Sequence, residues 1–247
     1  MKKNRLVVNT LVYLNQLKAG VAQAQLLKPL CELGVENVEI RREFMKDFKT
    51  ELLAIAEASL NYKIKLFYSV PSYLYENGKL MMNRLESFYA EAQIMGCRYV
   101  KLNIGDVSAV TNEDIKIISS LCEKYNITQS IENDQTPENG KSEKINWFLE
   151  ETSKKGGKIT LTFDTGNWIW TRESPKSAAK LLQKHVTYIH VKDVLQGTPP
   201  TATWLGEGDL CWESILKQLP SNVPVALEYP CDTCLDAEIQ KLLAADI

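Results

Sequence analysis

Gly157-Lys-Ile-Thr-Leu-Thr-Phe-Asp-Thr-Gly-Asn-Trp168 and Thr187-Tyr-Ile-His-Val-Lys-Asp193 are two alternating segments with a helical pattern, Ser174 to Gln183, between them. In the first, Thr160, Thr162 and Asp164 alternate with Ile159, Leu161 and Phe163; in the second, Tyr188, His190 and Lys192 alternate with Ile189 and Val191. Successive side chains point to opposite faces of a strand, so each segment reads as a strand with one apolar and one polar face. Asp164 and His190 stand on the polar faces. A strand, a crossover helix and a second strand make a βαβ unit with parallel strands, so both tips lie at the same, carboxyl edge.

The same unit recurs outward along the chain. Strands are expected at Arg5 to Asn9, Asn37 to Arg41, Ile64 to about Ser69 (stopped by Pro71), Tyr99 to Asn103, Ile127 to Glu132 and Val223 to Glu228. Helical patterns follow at Val21 to Leu33, Phe48 to Leu60, Leu80 to Met95, Glu113 to Tyr125, Ser142 to Lys154, Trp212 to Leu219 and Leu235 to Ala245. The strand tips Asn9, Glu39, Ser69, Asn103, Glu132, Asp164, His190 and Glu228 stand 26 to 38 residues apart, the length of one βα unit each. An open doubly wound sheet has central strands that are apolar on both faces. Here strands two, four, five, six and seven are polar on one face, which fits a closed barrel whose strands line an interior. The expected fold is α/β, a (β/α)8 TIM barrel, as a single domain over residues 1–247. No glycine-rich turn follows strand one, which argues against dinucleotide binding.

With 247 residues, 45% hydrophobic and 24% charged, the chain can bury a full core. A net charge of −2 gives no basic footprint for nucleic acid or an anionic membrane surface. The expected partner is a small molecule, and a homo-oligomer is compatible with the composition. The Met1 to Leu14 segment has the outline of a signal peptide, but Asn9 and Thr10 interrupt its apolar run and it reads as strand one. Six irregularly spaced cysteines in a chain of this size indicate reduced thiols and a cytoplasmic setting. Cys231-Asp-Thr-Cys234 lacks a second pair for a zinc knuckle and reads as two helix-start residues.

In a barrel, the carboxyl-end loops hold the active site. Four consecutive strands end in Glu132, Asp164, His190 and Glu228. Strands about 4.8 Å apart place these tips within reach of one point. Three carboxylates there would repel unless one held a proton, and a divalent cation removes that conflict. Three oxygen donors and one imidazole nitrogen suit Mn²⁺ first, with Mg²⁺, Co²⁺ and Zn²⁺ as further fits. Singly each has a plainer reading: a strand-end carboxylate often caps a turn, as Asp164 can at Thr165-Gly166, and a lone histidine is often a satisfied core group. Lys192 reads equally as a contact for an oxyanion or phosphate and as a surface lysine. Asn167 can bond a ligand hydroxyl or form an Asx turn. Trp168, Trp170 and Trp204 can stack on a ligand or anchor loops, Asp209 reads as the cap of the helix near Trp212, and Arg41, Arg42 and Arg172 are candidate anion contacts.

Glu132-Asn133, Asp164-Thr-Gly-Asn167, Ile189-His-Val-Lys-Asp193 and Gly206-Glu-Gly-Asp209 resemble the signatures of the xylose isomerase-like TIM-barrel superfamily, the sugar phosphate isomerases and epimerases. The resemblance covers essentially the whole chain and is strongest from Ile127 to Glu228. It implies that Glu132, Asp164, His190 and Glu228 bind one divalent metal, that Glu132 and Glu228 exchange protons with substrate, and that Glu138 contacts substrate. The substrate class implied is a carbohydrate or sugar phosphate, and the reaction an isomerisation or epimerisation through an enediolate. Two positions depart from the ketose epimerase pattern: Asn167 replaces a substrate-binding histidine, and Gln196 stands near the place of an arginine. The rivals are a lyase of the inosose dehydratase type and a barrel that binds sugar without turnover. Endonuclease IV shares the fold but needs many histidines, and this chain has only His185 and His190.

Overall fold

A computed structural model describes all residues from Met1 to Ile247. Eight parallel strands form a closed barrel in chain order: β1 (Leu6–Asn9), β2 (Asn37–Arg41), β3 (Lys65–Glu76), β4 (Tyr99–Gly105), β5 (Thr128–Glu132), β6 (Thr160–Asp164), β7 (Val186–Val191) and β8 (Val225–Leu227). Leu6 opposite Val225 and Val8 opposite Leu227 close the ring. The helices between and after them are α1 (Gln23–Glu32), α2 (Phe48–Tyr62), α3 (Met82–Ile94), α4 (Asn112–Tyr125), α5 (Ser142–Lys154), α6 (Pro175–Leu182), α7 (Trp212–Leu216) and α8 (Leu235–Ala244). Local chemistry sets their ends. Thr111 and Asp114 form a reciprocal capping box on α4, and Ser174 with Pro175 opens α6. No helix is long and apolar enough to cross a membrane.

Alternation along the strands separates two cores. Outward residues such as Val8, Val38, Leu161, Phe163, Ile189 and Val191 pack against the helices in one cluster. Inward residues at the amino end form a second, small one: Val7, Tyr188 and Ala226, with Phe67 and Tyr99 against them. Phe67 stacks on Tyr188 with ring centroids 4.8 Å apart, and Tyr99 meets Tyr188 edge-on at 5.3 Å. This aromatic floor closes the barrel from below. One step further along each strand the inward positions are polar, so the floor carries the functional layer.

Three expectations about elements are corrected. β3 does not stop at Pro71; it runs on to Glu76 and turns through Asn77-Gly78 into a short antiparallel strand, Lys79–Leu80. Pro71 lies in a register irregularity between Ser69 and Tyr73, where its missing N–H removes no ladder bond. The pairing continues to Tyr75 opposite Gly105, where a Cβ on residue 105 would come within 2.0 Å of the Tyr75 carbonyl oxygen. The long segment after β7 also folds, with Asp193–Leu195 antiparallel to Thr201–Thr203. Finally, α7 ends at Leu216, and Asp209 does not cap it: its carboxylate accepts the Gln196 N–H.

Candidate metal centre

Glu132 ends β5, Asp164 ends β6, His190 lies in β7 and Glu228 follows β8; all four are buried, and their ligand atoms lie within 4.8 Å of one another. Asn133 and the turn after Asp164 fasten this group. The Asn133 side chain accepts the Asp164 N–H at 2.9 Å and donates to the Asp164 carbonyl at 3.1 Å, tying the tips of β5 and β6 together. Oδ1 of Asp164 accepts the N–H groups of Gly166 and Asn167, both at 2.8 Å. Asp164 therefore caps its own turn with one oxygen and keeps Oδ2 for the interior.

The donor set fits a divalent cation. Glu132 Oε1, Asp164 Oδ2 and His190 Nδ1 are buried without a hydrogen bond of acceptable geometry. Nδ1 nevertheless stands 2.6 Å from Glu132 Oε1 and 3.3 Å from Glu228 Oε1. Unaligned donor atoms crowded this closely are relieved by a shared ion, and buried polar atoms of folded proteins rarely remain unpaired otherwise. Behind the imidazole, Glu39 Oε2 lies 2.8 Å from Nε2 and accepts hydrogen bonds from Asn9 (2.7 Å) and Tyr188 (3.1 Å). Nε2 is likewise without an aligned hydrogen bond, so Glu39 acts on the ring through its charge.

Three basic side chains share the cavity. Lys101 Nζ is 2.5 Å from Glu132 Oε2, Arg41 Nη1 is 2.7 Å from Glu228 Oε1, and Lys192 Nζ is 2.9 Å from Asp164 Oδ2 and 3.0 Å from Glu228 Oε2. Burial pushes the Glu132 carboxyl up, but Lys101 and His190 outweigh it and hold the group at about 2. Glu228 is likewise held well below the carboxylate range, against burial, by Lys192, His190 and Arg41. Asp164 goes the other way, to about 6: burial raises it, and Lys192 offsets this only in part against the neighbouring Glu228 and Glu132. Burial would lower the His190 pKa, yet Glu39, Glu228 and Glu132 raise it well above the usual imidazole value. Without an ion, the repulsion among the carboxylates is thus relieved by protons and ammonium groups.

The cavity above this layer has a volume of about 380 Å³ and is lined by Lys101, Asn103, Asn167, Lys192, Arg41 and Tyr73 among others. Asn167 and Lys192 line it together with Glu132 and Glu228. Asn167 donates to the Asn133 carbonyl at 2.9 Å, and its Oδ1 accepts from Gln135 at 3.3 Å. Glu138 stands apart: it is exposed and lines an adjoining cavity with Tyr73, Tyr75 and Asn77. The Asp134–Gly140 turn, held by bonds from Thr136 and Asn139 to Asp134, carries it outward. Trp168 is wholly buried against Phe163, and Trp204 is anchored to the Pro230 carbonyl, so both are loop anchors here. Arg42 is committed to Glu91 by two bonds of 2.8 Å.

Sequence reasoning assigned no site role to Glu39, Lys101 or Asn9, and took Arg41 for an anion contact where the structure pairs it with Glu228. Strand alternation carried the signal, because Glu39 and Arg41 oppose Val38 and Ile40, and Lys101 shares a face with Tyr99 and Asn103. The structure also gives the quoted motifs a physical basis. A Cβ at residue 166 would meet Lys192 Cγ at 2.7 Å, so Gly166 lets the lysine stem cross into the site. Asp193 accepts the N–H groups of Val194, Gly206 and Leu210 at 2.8–3.0 Å, pinning the Gly206-Glu-Gly-Asp209 loop.

No family model matches this sequence. A 122-residue stretch, 47% of this chain, is 28% identical to the uncharacterized protein YihM of Escherichia coli K12, and the match spans 36% of that protein. Solved structures resemble the whole chain. A xylose isomerase domain protein from Planctomyces limnophilus has a TM-score of 0.69 at 17% identity, over 97% of this chain and 95% of that one. The probable 3-DHS dehydratase AsbF of Bacillus anthracis has a TM-score of 0.72 at 13% identity, over 98% and 100%. A D-tagatose 3-epimerase-like protein has a TM-score of 0.70 at 16% identity, over 96% of each chain. The fold of this chain is that of the xylose isomerase-like TIM barrels.

Proposed function

We propose that this chain is a divalent-metal-dependent carbohydrate isomerase or epimerase. The observation that carries the proposal is the convergence of Glu132, Asp164, His190 and Glu228 at the carboxyl end of the barrel, with Glu132 Oε1, Asp164 Oδ2 and both ring nitrogens of His190 left without hydrogen bonds. These four residues hold the ion, with Mn²⁺ preferred. A divalent ion bound there acts as a Lewis acid that acidifies the C–H of a substrate with adjacent carbonyl and hydroxyl oxygens.

Glu132 and Glu228 are the groups that exchange that proton: one, as the carboxylate, takes it from carbon, and it is returned by the same glutamate or, for inversion, supplied by the other in its protonated form. Lys101 fixes the orientation of Glu132 through its second oxygen. Lys192 and Asn167 contact the substrate from the cavity wall, while the Phe67, Tyr99 and Tyr188 floor excludes water from below. Glu138 reaches the substrate only if the Asp134–Gly140 turn moves. The same proposal takes the ligand to be a small carbohydrate or sugar phosphate and the chain to be one domain acting in the cytoplasm.

A lyase reading has one observation in its favour: the buried ammonium groups of Lys101 and Lys192 are N–H donors able to protonate a departing hydroxyl. The test is incubation of the Mn²⁺-loaded protein in deuterated water with a panel of ketoses and sugar phosphates, read by NMR and ultraviolet absorbance. Incorporation of one deuterium into a sugar and its isomer, abolished by Glu132→Gln, is expected. An unsaturated product instead establishes the lyase, and exchange that survives both Glu132→Gln and Glu228→Gln contradicts the proton-transfer roles.

A further inference from the structure

The Lys192 ammonium occupies ground that a metal ion needs. Its Nζ lies 2.9 Å from Asp164 Oδ2, one of the unbonded donor atoms of the cluster, and 3.0 Å from Glu228 Oε2. The placement is built in. Lys192 is almost wholly buried, and its stem passes so close to Gly166 that any side chain there would collide with it. Lys101 and Arg41 stand in the same relation to Glu132 and to the other oxygen of Glu228. Each carboxylate of the cluster thus already has a basic partner facing the cavity.

We propose that Lys192 and the metal ion compete for Asp164 and Glu228, and that metal entry releases Lys192 into the cavity as the binding group for an anionic substrate. This inference rests on the metal reading above. A cation drawn to the carboxylates takes over the charge that neutralised three buried basic groups, and a buried charge without a partner is strongly unfavourable. The four buried carboxylates, Glu39, Glu132, Asp164 and Glu228, then face a divalent ion together with Arg41, Lys101 and Lys192. Glu43 pairs with Arg41 at 2.6 Å, so Arg41 keeps a carboxylate when Glu228 turns to the ion, and Asp134 is engaged by Thr136 and Asn139; Lys192 has only Asp164 and Glu228, both of which the ion claims. The Lys192 ammonium, left without its two carboxylate partners, calls for an anion on the ligand. A hydroxylated carbon chain bearing a carboxylate or a phosphate supplies it, and a cavity of about 380 Å³ accommodates one of six carbons. Metal and anion therefore bind cooperatively, each tightening the other by the same factor.

The experiment is calorimetric titration of Mn²⁺ into the wild-type protein alone and with D-glucuronate, D-fructose 6-phosphate or neutral D-fructose, repeated with Lys192→Met. Lys192→Gln replaces the Met variant if its thermal melt shows that it has not folded. The wild type is expected to bind Mn²⁺ at least tenfold more tightly with one of the two anions, which identifies carboxylate or phosphate, and to be unaffected by D-fructose. Lys192→Met is expected to bind Mn²⁺ at least tenfold more tightly in the absence of anion and to lose the anion effect. If wild type binds Mn²⁺ but the lysine variant binds no better, or if D-fructose tightens binding as much as the anions, the competition is overturned and the proposed function stands. If neither protein binds Mn²⁺, both fall.

Discussion

Replacing Lys101 with methionine keeps the volume of the side chain but removes the ammonium 2.5 Å from Glu132 Oε2. Both groups are nearly inaccessible, at 3% and 6% of their side-chain surface, so water cannot take over the role of the lysine. Breaking one side of a buried pair typically costs about 3–5 kcal/mol, because the remaining charge is left uncompensated. For a chain of this length that corresponds to a fall in Tm of about 6–20 °C. Urea unfolding of the metal-free protein at pH 7 measures the free energy directly.

Two internal controls follow from the electrostatics. Glu132 is held at about 2 in the folded protein against 4.5 ordinarily, so its contribution is present above pH 4.5 and lost as the pH falls towards 2. The gap between wild type and Lys101→Met closes over that acidic range. Mn²⁺ replaces the lost positive charge, so it binds the variant more tightly, and each tenfold gain narrows the gap by about 1.4 kcal/mol. A cost below about 1 kcal/mol, or a gap that responds to neither acid nor Mn²⁺, refutes the pairing of Lys101 with Glu132 as described.

Asp164→Asn is expected to stabilise the metal-free protein at pH 7. With a folded value of about 6 against 3.8, the aspartate favours folding only below pH 3.8 and loses that contribution as the pH rises through 6, so its ionised form costs up to about 3 kcal/mol at neutral pH. The same variant loses Mn²⁺ binding; denaturant titration and calorimetry read both effects, and a less stable variant contradicts the placement. Asp193→Asn weakens the three backbone hydrogen bonds that hold residues 206–210. Amide exchange at Gly206 and Leu210 is expected to speed up at least tenfold while the β6 and β7 amides keep their protection, and unchanged exchange at those two residues sinks the account of the motif.

The four clustered residues were legible because each is the last or nearly the last inward residue of an alternating strand, a pattern local enough to read along the chain. Glu39 and Lys101 obey the same rule. Their role stays hidden because a charged residue on a strand face has an equally good solvated reading until closure of the barrel buries it, and closure depends on β1 meeting β8. Pro71 misleads for a related reason: its cost depends on whether a partner strand needs its N–H, and the register irregularity beside β4 removes that need. The outward position of Glu138 follows from bonds that Thr136 and Asn139 make to Asp134, which spacing from Glu132 does not encode. The contact of Lys192 with Asp164 and Glu228 depends on the space left by Gly166, visible only when β6 and β7 lie side by side.

The central claim is that Glu132, Asp164, His190 and Glu228 surround one ion. Its most direct test is anomalous diffraction at the manganese edge from crystals grown with Mn²⁺. One strong peak about 2 Å from Glu132 Oε1, Asp164 Oδ2, His190 Nδ1 and a Glu228 oxygen is expected. The same crystals showing no peak among those atoms, with the Lys192 ammonium still between Asp164 and Glu228 under saturating Mn²⁺, contradict it.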